Sequence, residues 1–161
     1  MTDVPTSLGK FIYTAAIFCD SVRREDNGKV ILLGVFGGDL LVTQNYPVPL
    51  SLVAHLEGQV TEAGQFSEVF QFFDESGAAL SPPVEVKSGG PFVLGGFAVQ
   101  VASVITFQKS CTCVLKRKVG DEWEFITQKT VVNQSEIMAK LPKGFVEDLM
   151  RRTFDAIQEK K

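Results

Sequence analysis

From Lys10 to Val132 the chain alternates short runs rich in Val, Ile, Phe, Leu and Thr with clusters of Gly, Asn, Asp and Pro, the rhythm of an all-β protein. The first run spans about Lys10 to Asp20 and the second starts at Lys29. Asp26-Asn27-Gly28 between them supplies residues that tolerate positive φ in a tight turn. Gly37-Gly38 breaks the second run before Asp39-Leu40-Leu41-Val42. After Pro47 the run Val48 to Glu57 alternates, with Leu50, Leu52, Ala54 and Leu56 on one face and Ser51, Val53, His55 and Glu57 on the other. Glu68 to Phe73 ends in the turn Asp74-Glu75-Ser76-Gly77. The run from about Ala79 to Lys87 contains Pro82-Pro83, which cannot donate to a ladder and so places it at a sheet edge. After the breaks at Ser88 to Pro91 and Gly95-Gly96, the segments Phe97 to Thr106, Ser110 to Val119 and Glu122 to Val132 complete a set of about eight strands.

The period changes after Asn133, where Asn133 followed by Glu136 resembles a capping box for a short helical piece ending before Pro142. From Phe145 to about Glu159, Val146, Leu149, Met150, Phe154 and Ile157 fall on one helical face, and Glu147, Asp148, Arg151, Arg152 and Asp155 fill the other. The expectation is a single domain over residues 1–161, mainly β: an antiparallel β-sandwich of about eight strands with a helical C-terminal segment at about 134–159. A lipocalin-like closed barrel shares the strand count, but the Gly-x-Trp of its first strand is absent, and the sole tryptophan is Trp123.

Composition narrows the function classes. Lys and Arg number 16 against 19 Asp and Glu, a net charge of -3, so no basic field attracts a phosphate backbone and nucleic acid is not an expected partner. The first residues lack a basic stretch followed by an apolar one, and no apolar run reaches the ~18 residues of a membrane span. The expectation is a soluble cytoplasmic protein with no membrane contact. The three cysteines form no C-x-x-C pair. Cys111 and Cys113, two apart, share a strand face with Ile105, Phe107 and Leu115, and with Cys19 they read as small buried hydrophobes.

The densest polar feature is the loop holding Asp20, Arg23, Arg24, Glu25, Asp26 and Lys29. Arg23 or Arg24 could clamp Asp20 or Glu25 and order the turn. Alternatively, the arginine pair meets carboxylates of a protein partner, since a guanidinium binds them in a two-pronged fashion. The acids do not follow EF-hand spacing, and a calcium site would require Asp20, Asp26, Asp74, Glu75 and Asp121 to converge from separate loops. His55 is the only histidine, and no G-x-S-x-G turn, dinucleotide fingerprint, P-loop or H-E-x-x-H accompanies it. No catalytic residue, metal site or cofactor is assigned.

Phe18-Cys19-Asp20, then Arg23-Arg24-Glu25-Asp26-Asn27-Gly28-Lys29, then Gly34-Val35-Phe36, a C-D-x-x-R-x-E-x-x-G-K opening, resembles the start of an uncharacterised bacterial family of small β-sandwich proteins. Asp74-Glu75-Ser76-Gly77 is similar to that family's D-x-x-G turn. The resemblance implies an all-β fold and carries no activity, substrate or catalytic residue with it. The functional expectation is therefore a non-catalytic protein-interaction module that contacts its partner through the charged loop, with self-association left open. The alternative is a carrier of a small apolar ligand in a pocket lined by Phe70, Phe72, Phe97 and Phe107. A metal-binding or hydrolytic enzyme built on dispersed carboxylates ranks last.

Overall fold

The structure is a computed structural model that describes residues 9–27, 29–142, 144, 145, 147, 148 and 151. Within these the chain forms β1 (Lys10–Cys19), β2 (Ser21–Arg24), β3 (Val30–Leu33), β4 (Leu40–Val42), β5 (Val48–Glu62), β6 (Gly64–Phe73), β7 (Val84–Phe92), β8 (Gly95–Phe107), β9 (Cys111–Val119), β10 (Glu122–Asn133) and α1 (Gln134–Lys140). One sheet has the order β1-β5-β8 and a second the order β4-β10-β9-β6-β7, while β2 and β3 pair only with each other. The protein is mainly β, and its two larger sheets face one another as a sandwich. Phe18, Leu52, Leu56 and Ile105 of the first sheet meet Phe66, Phe70, Phe72 and Leu115 of the second in one buried cluster. At one end Phe11 stacks edge-on against Phe66 and Phe97, with ring centroids at 4.7 and 5.2 Å.

The strand count differs from the expected eight for local reasons. The first run splits at Asp20, where the chain leaves the sheet and starts the separate β2–β3 hairpin. Pro82-Pro83 delays β7 until Val84, and Ala79 makes only an isolated bridge to Phe73. β7 is the edge strand that the prolines predicted. It then runs through Ser88 to Pro91, which the sequence reads as a break, by bulging: Gln65 pairs with Pro91 and Ser67 with Lys87, so Ser88, Gly89 and Gly90 stand opposite Phe66 alone. The ladders are antiparallel except that short β4 joins β10 in parallel register.

Asn133 caps α1 as expected, its Oδ1 accepting from the Ser135 amide at 2.9 Å. The second half of the capping box is relayed through Ser110, in the turn ahead of β9. Ser110 Oγ accepts from the Asn133 amide at 3.1 Å and donates to Glu136 at 2.7 Å. The longer helix read over 145–159 lies mostly outside the described residues. Among the described residues no helix is long and apolar enough to cross a membrane.

Candidate functional site

The charged loop closes a hairpin that is braced at both ends. At its base the Asp20 amide donates to the Leu33 carbonyl at 3.0 Å. The Asp20 carboxylate fills the space beside Gly34, whose φ of +62° favours glycine and where a Cβ would lie 1.9 Å from Asp20 Oδ2. At the tip the Glu25 amide donates to the Lys29 carbonyl at 2.9 Å. Asn27 ties the turn internally, accepting from the Lys29 amide at 2.9 Å and donating to Glu25 at 3.1 Å. Glu25 is thus engaged within the turn, and the Asp20 carboxylate lies beside Gly34 rather than in an ion pair with either arginine. Among the described residues Arg23 and Arg24 make no ion pair, and both are exposed, as are Asp26 and Lys29. Exposed Val30, Leu33 and Val35 lie beside them.

The hairpin lies across the outer face of the three-stranded sheet. β2 packs against β5, the central strand of that sheet, and Arg24 at its far end lies beside Ala98 to Gln100 of β8, on the side of β5 away from β1. Cys19, Val53 and His55 alternate outward and stand outside the core cluster, yet Val53 and His55 are only 8% and 3% exposed. Gln100 donates to His55 Nδ1 at 3.3 Å, so the ring proton sits on Nε2, which donates to Glu57 at 3.2 Å. His55 occupies the polar row that its alternation predicts, and it is buried there between Gln100 and Glu57.

The other polar candidates serve the backbone. Asp74 accepts from the Ser76 hydroxyl at 2.6 Å and from the Ser76 and Ala78 amides at 2.9 Å, and these bonds hold its carboxyl below the usual range. Glu75 accepts from the Thr112 amide at 2.8 Å. Among the described residues no three His, Cys, Asp or Glu side chains converge on a common point. Phe70, Phe72, Phe97 and Phe107 are packed into the core, against neighbouring side chains of both sheets.

One cluster escaped the sequence reading. Tyr13 on β1 reaches across the sandwich and donates its hydroxyl to Glu68 on β6. Arg117 on β9 donates to Glu68 at 3.3 Å and, through Nε and Nη2, to Glu124 at 3.1 and 3.0 Å, while its guanidinium stands 5.3 Å over the Tyr13 ring. The signal was present: Phe66, Glu68, Phe70 and Phe72 share one face by alternation, as do Cys113, Leu115 and Arg117. A carboxylate and a guanidinium thus each interrupt an apolar row, on neighbouring strands of one sheet.

The core titrates in the alkaline range. Burial pushes the Cys113 thiol up to about 12 and also raises Cys19 and Cys111. Burial, then the bond to Glu68, raises the Tyr13 phenol above its ordinary range. Each group is protonated in the fold and ionises more readily once unfolded. Their contributions are complete below the unfolded values, near 9.0 for the thiols and 10.0 for the phenol, and are lost as pH rises beyond them. Urea midpoints measured from pH 8 to 11 should fall steadily, and Tyr13→Phe should flatten the fall above pH 10. A constant midpoint would contradict this assignment. For the same reason all three thiols, buried in the fold, should resist alkylation in native buffer at pH 8 and react promptly in urea. Rapid modification of the native protein would show that the cysteines are accessible.

Residues 14–120 match the sequence model of a family of unknown function, DUF6941, in agreement with the resemblance drawn from the charged opening. The matched stretch contains the whole β2–β3 hairpin and all of β5 to β8. No curated protein matches the chain.

Proposed function

We propose, from the premise that the chain belongs to the family of unknown function DUF6941, that it works as a non-catalytic interaction module whose β2–β3 hairpin meets a protein partner. The observation that carries this reading is a pair of exposed arginines, Arg23 and Arg24, without an ion pair among the described residues, on a hairpin whose tip is braced by bonds among Glu25, Asn27 and the Lys29 backbone. A guanidinium held on a rigid base loses little freedom when it takes up a carboxylate, and arginine ringed by apolar side chains is a common centre of binding energy. Leu33, 47% exposed, shares a hairpin face with Arg23, and Val30, 37% exposed, pairs with Arg24. Three unpaired cysteines accord with a reducing compartment, and a cytoplasmic site of action is part of the same reading.

The test is affinity capture from an extract of the source organism with the wild-type chain and an Arg23→Ala, Arg24→Ala variant side by side. The expected result is a stoichiometric protein retained by the wild type and lost with the variant, while the variant's stability stays within about 0.5 kcal/mol, as for exposed substitutions generally. A partner that survives the double substitution, or a large loss of stability, would overturn the reading.

A further inference from the structure

The three-stranded sheet ends in an unprotected edge. Among the described residues β8 pairs on one side only, with β5, in unbroken register from Val48 opposite Phe107 to Val60 opposite Gly95. Its 13 residues, GGFAVQVASVITF, contain no charge, no proline and no bulge, which are the usual means of blunting an edge strand. Beside it the bulge in β7 opens a groove whose walls are β7 and the Ala98 to Gln100 stretch of β8, with Arg24 of the hairpin at its rim. Phe66, Phe92 and Val99 line its apolar part. A Cβ on Gly89 or Gly90 would meet nothing within 4 Å, so the β7 backbone is bare there. The described lining includes two cations, Arg24 and Lys87, and no carboxylate. Lys87 is paired with Glu85 at 2.9 Å, whereas Arg24 has no such partner among the described residues.

We propose that this groove receives an extended, acidic segment of the partner protein, which adds to β8 as a further strand and lays a carboxylate on Arg24. The proposal rests on the reading that the hairpin meets a protein. An added strand satisfies the free backbone groups of β8, while its alternate side chains point into the apolar groove and out toward Arg24. A second copy of the chain fits less well. β8 holds no carboxylate along its length, so β8-to-β8 pairing would bring Arg24 no counter-charge.

The probes are two capped nine-residue peptides, one alternating Val and Glu and the other Val and Lys, with binding followed by fluorescence anisotropy. The Glu peptide should bind and the Lys peptide should not, and Arg24→Ala should weaken the Glu peptide about tenfold. Methylating alternate backbone nitrogens along one edge of the Glu peptide should abolish binding, and methylating the other edge should leave it intact, because one edge alone faces β8. No binding at millimolar peptide, equal binding of the two peptides, or indifference to methylation on both edges would overturn the proposal. A stable dimer in sedimentation that the Glu peptide fails to dissociate would also overturn it, with a second copy as occupant. Hydrogen exchange on the captured complex separates this proposal from the reading beneath it. A partner that depends on Arg23 and Arg24 but leaves β8 amides unprotected removes strand addition alone, whereas a partner indifferent to both arginines removes both.

Discussion

Gly58→Ala is expected to lower stability by about 3 kcal/mol or more, equivalent to a fall in Tm on the order of 10 °C for a chain of this size. Gly58 sits at the centre of the three-stranded sheet, opposite Tyr13 of β1 and Phe97 of β8. A Cβ there would lie 2.2 Å from the Ile12 carbonyl oxygen and 2.6 Å from the Phe97 ring. The first obstacle is backbone and cannot rotate away, so β1 must move off β5. The second is a ring that contacts Phe11 and Tyr13 edge-on at 5.2 and 5.6 Å, so displacing it loosens the aromatic end of the core. Thermal unfolding followed by circular dichroism checks the figure. A Tm within about 2 °C of wild type would mean that β1 separates from β5 at little cost, and the tight register described here would be wrong.

Glu68→Ala is expected to cost about 2 to 3 kcal/mol although it removes no apolar contact surface of note. Glu68 and Arg117 are 17% and 23% exposed at their side chains, enough burial that the groups left behind lack full hydration. Without Glu68 the Tyr13 hydroxyl loses its acceptor and one arm of Arg117 loses its charge partner. Replacing the members together as Tyr13→Phe, Glu68→Leu and Arg117→Met should recover much of that loss, because a polar group is costly chiefly when its partner is taken away. Urea unfolding of the single and combined variants measures the coupling. Strictly additive losses would show that the three side chains act independently and that the cross-sheet network contributes nothing as a unit.

These two sites mark where the sequence was legible and where it was not. Alternation from Val48 to Glu57 placed Leu52, Ala54 and Leu56 in the core and His55 on the opposite, polar row, and the structure agrees because a period of two is a property of the strand itself. Pro82-Pro83 marked an edge for an equally local reason, the missing amide. The burial of His55 was not legible, because its partner Gln100 comes from a strand 45 residues further along the chain. The ion pairs expected between Arg23 or Arg24 and Asp20 or Glu25 fail for the same kind of reason. Asp20 sits at the hairpin base beside Gly34 and Glu25 accepts from Asn27, and a charge count within a loop does not show where the backbone directs each acid. The candidate loop residues were visible as a cluster in sequence, and the structure places Arg23 and Arg24 on the hairpin strand β2, with alternation turning them to opposite faces. The Glu68 and Arg117 pair was within reach of pattern reasoning, since each interrupts an apolar row, but only the sandwich topology brings the two rows to face the same tyrosine.

The most direct test of the central claim, that the β2–β3 hairpin is the contact surface, is in-cell photo-crosslinking with a benzophenone amino acid at Leu33, and separately at Phe125. Leu33 shares a hairpin face with Arg23 through the register of β2 and β3, and Phe125, 60% exposed, lies on the other sheet. The expected result is one dominant protein adduct from Leu33, absent from Phe125 and lost when Arg23 and Arg24 are both replaced by alanine. Adducts from Phe125 alone, or a Leu33 adduct indifferent to the arginines, would contradict it.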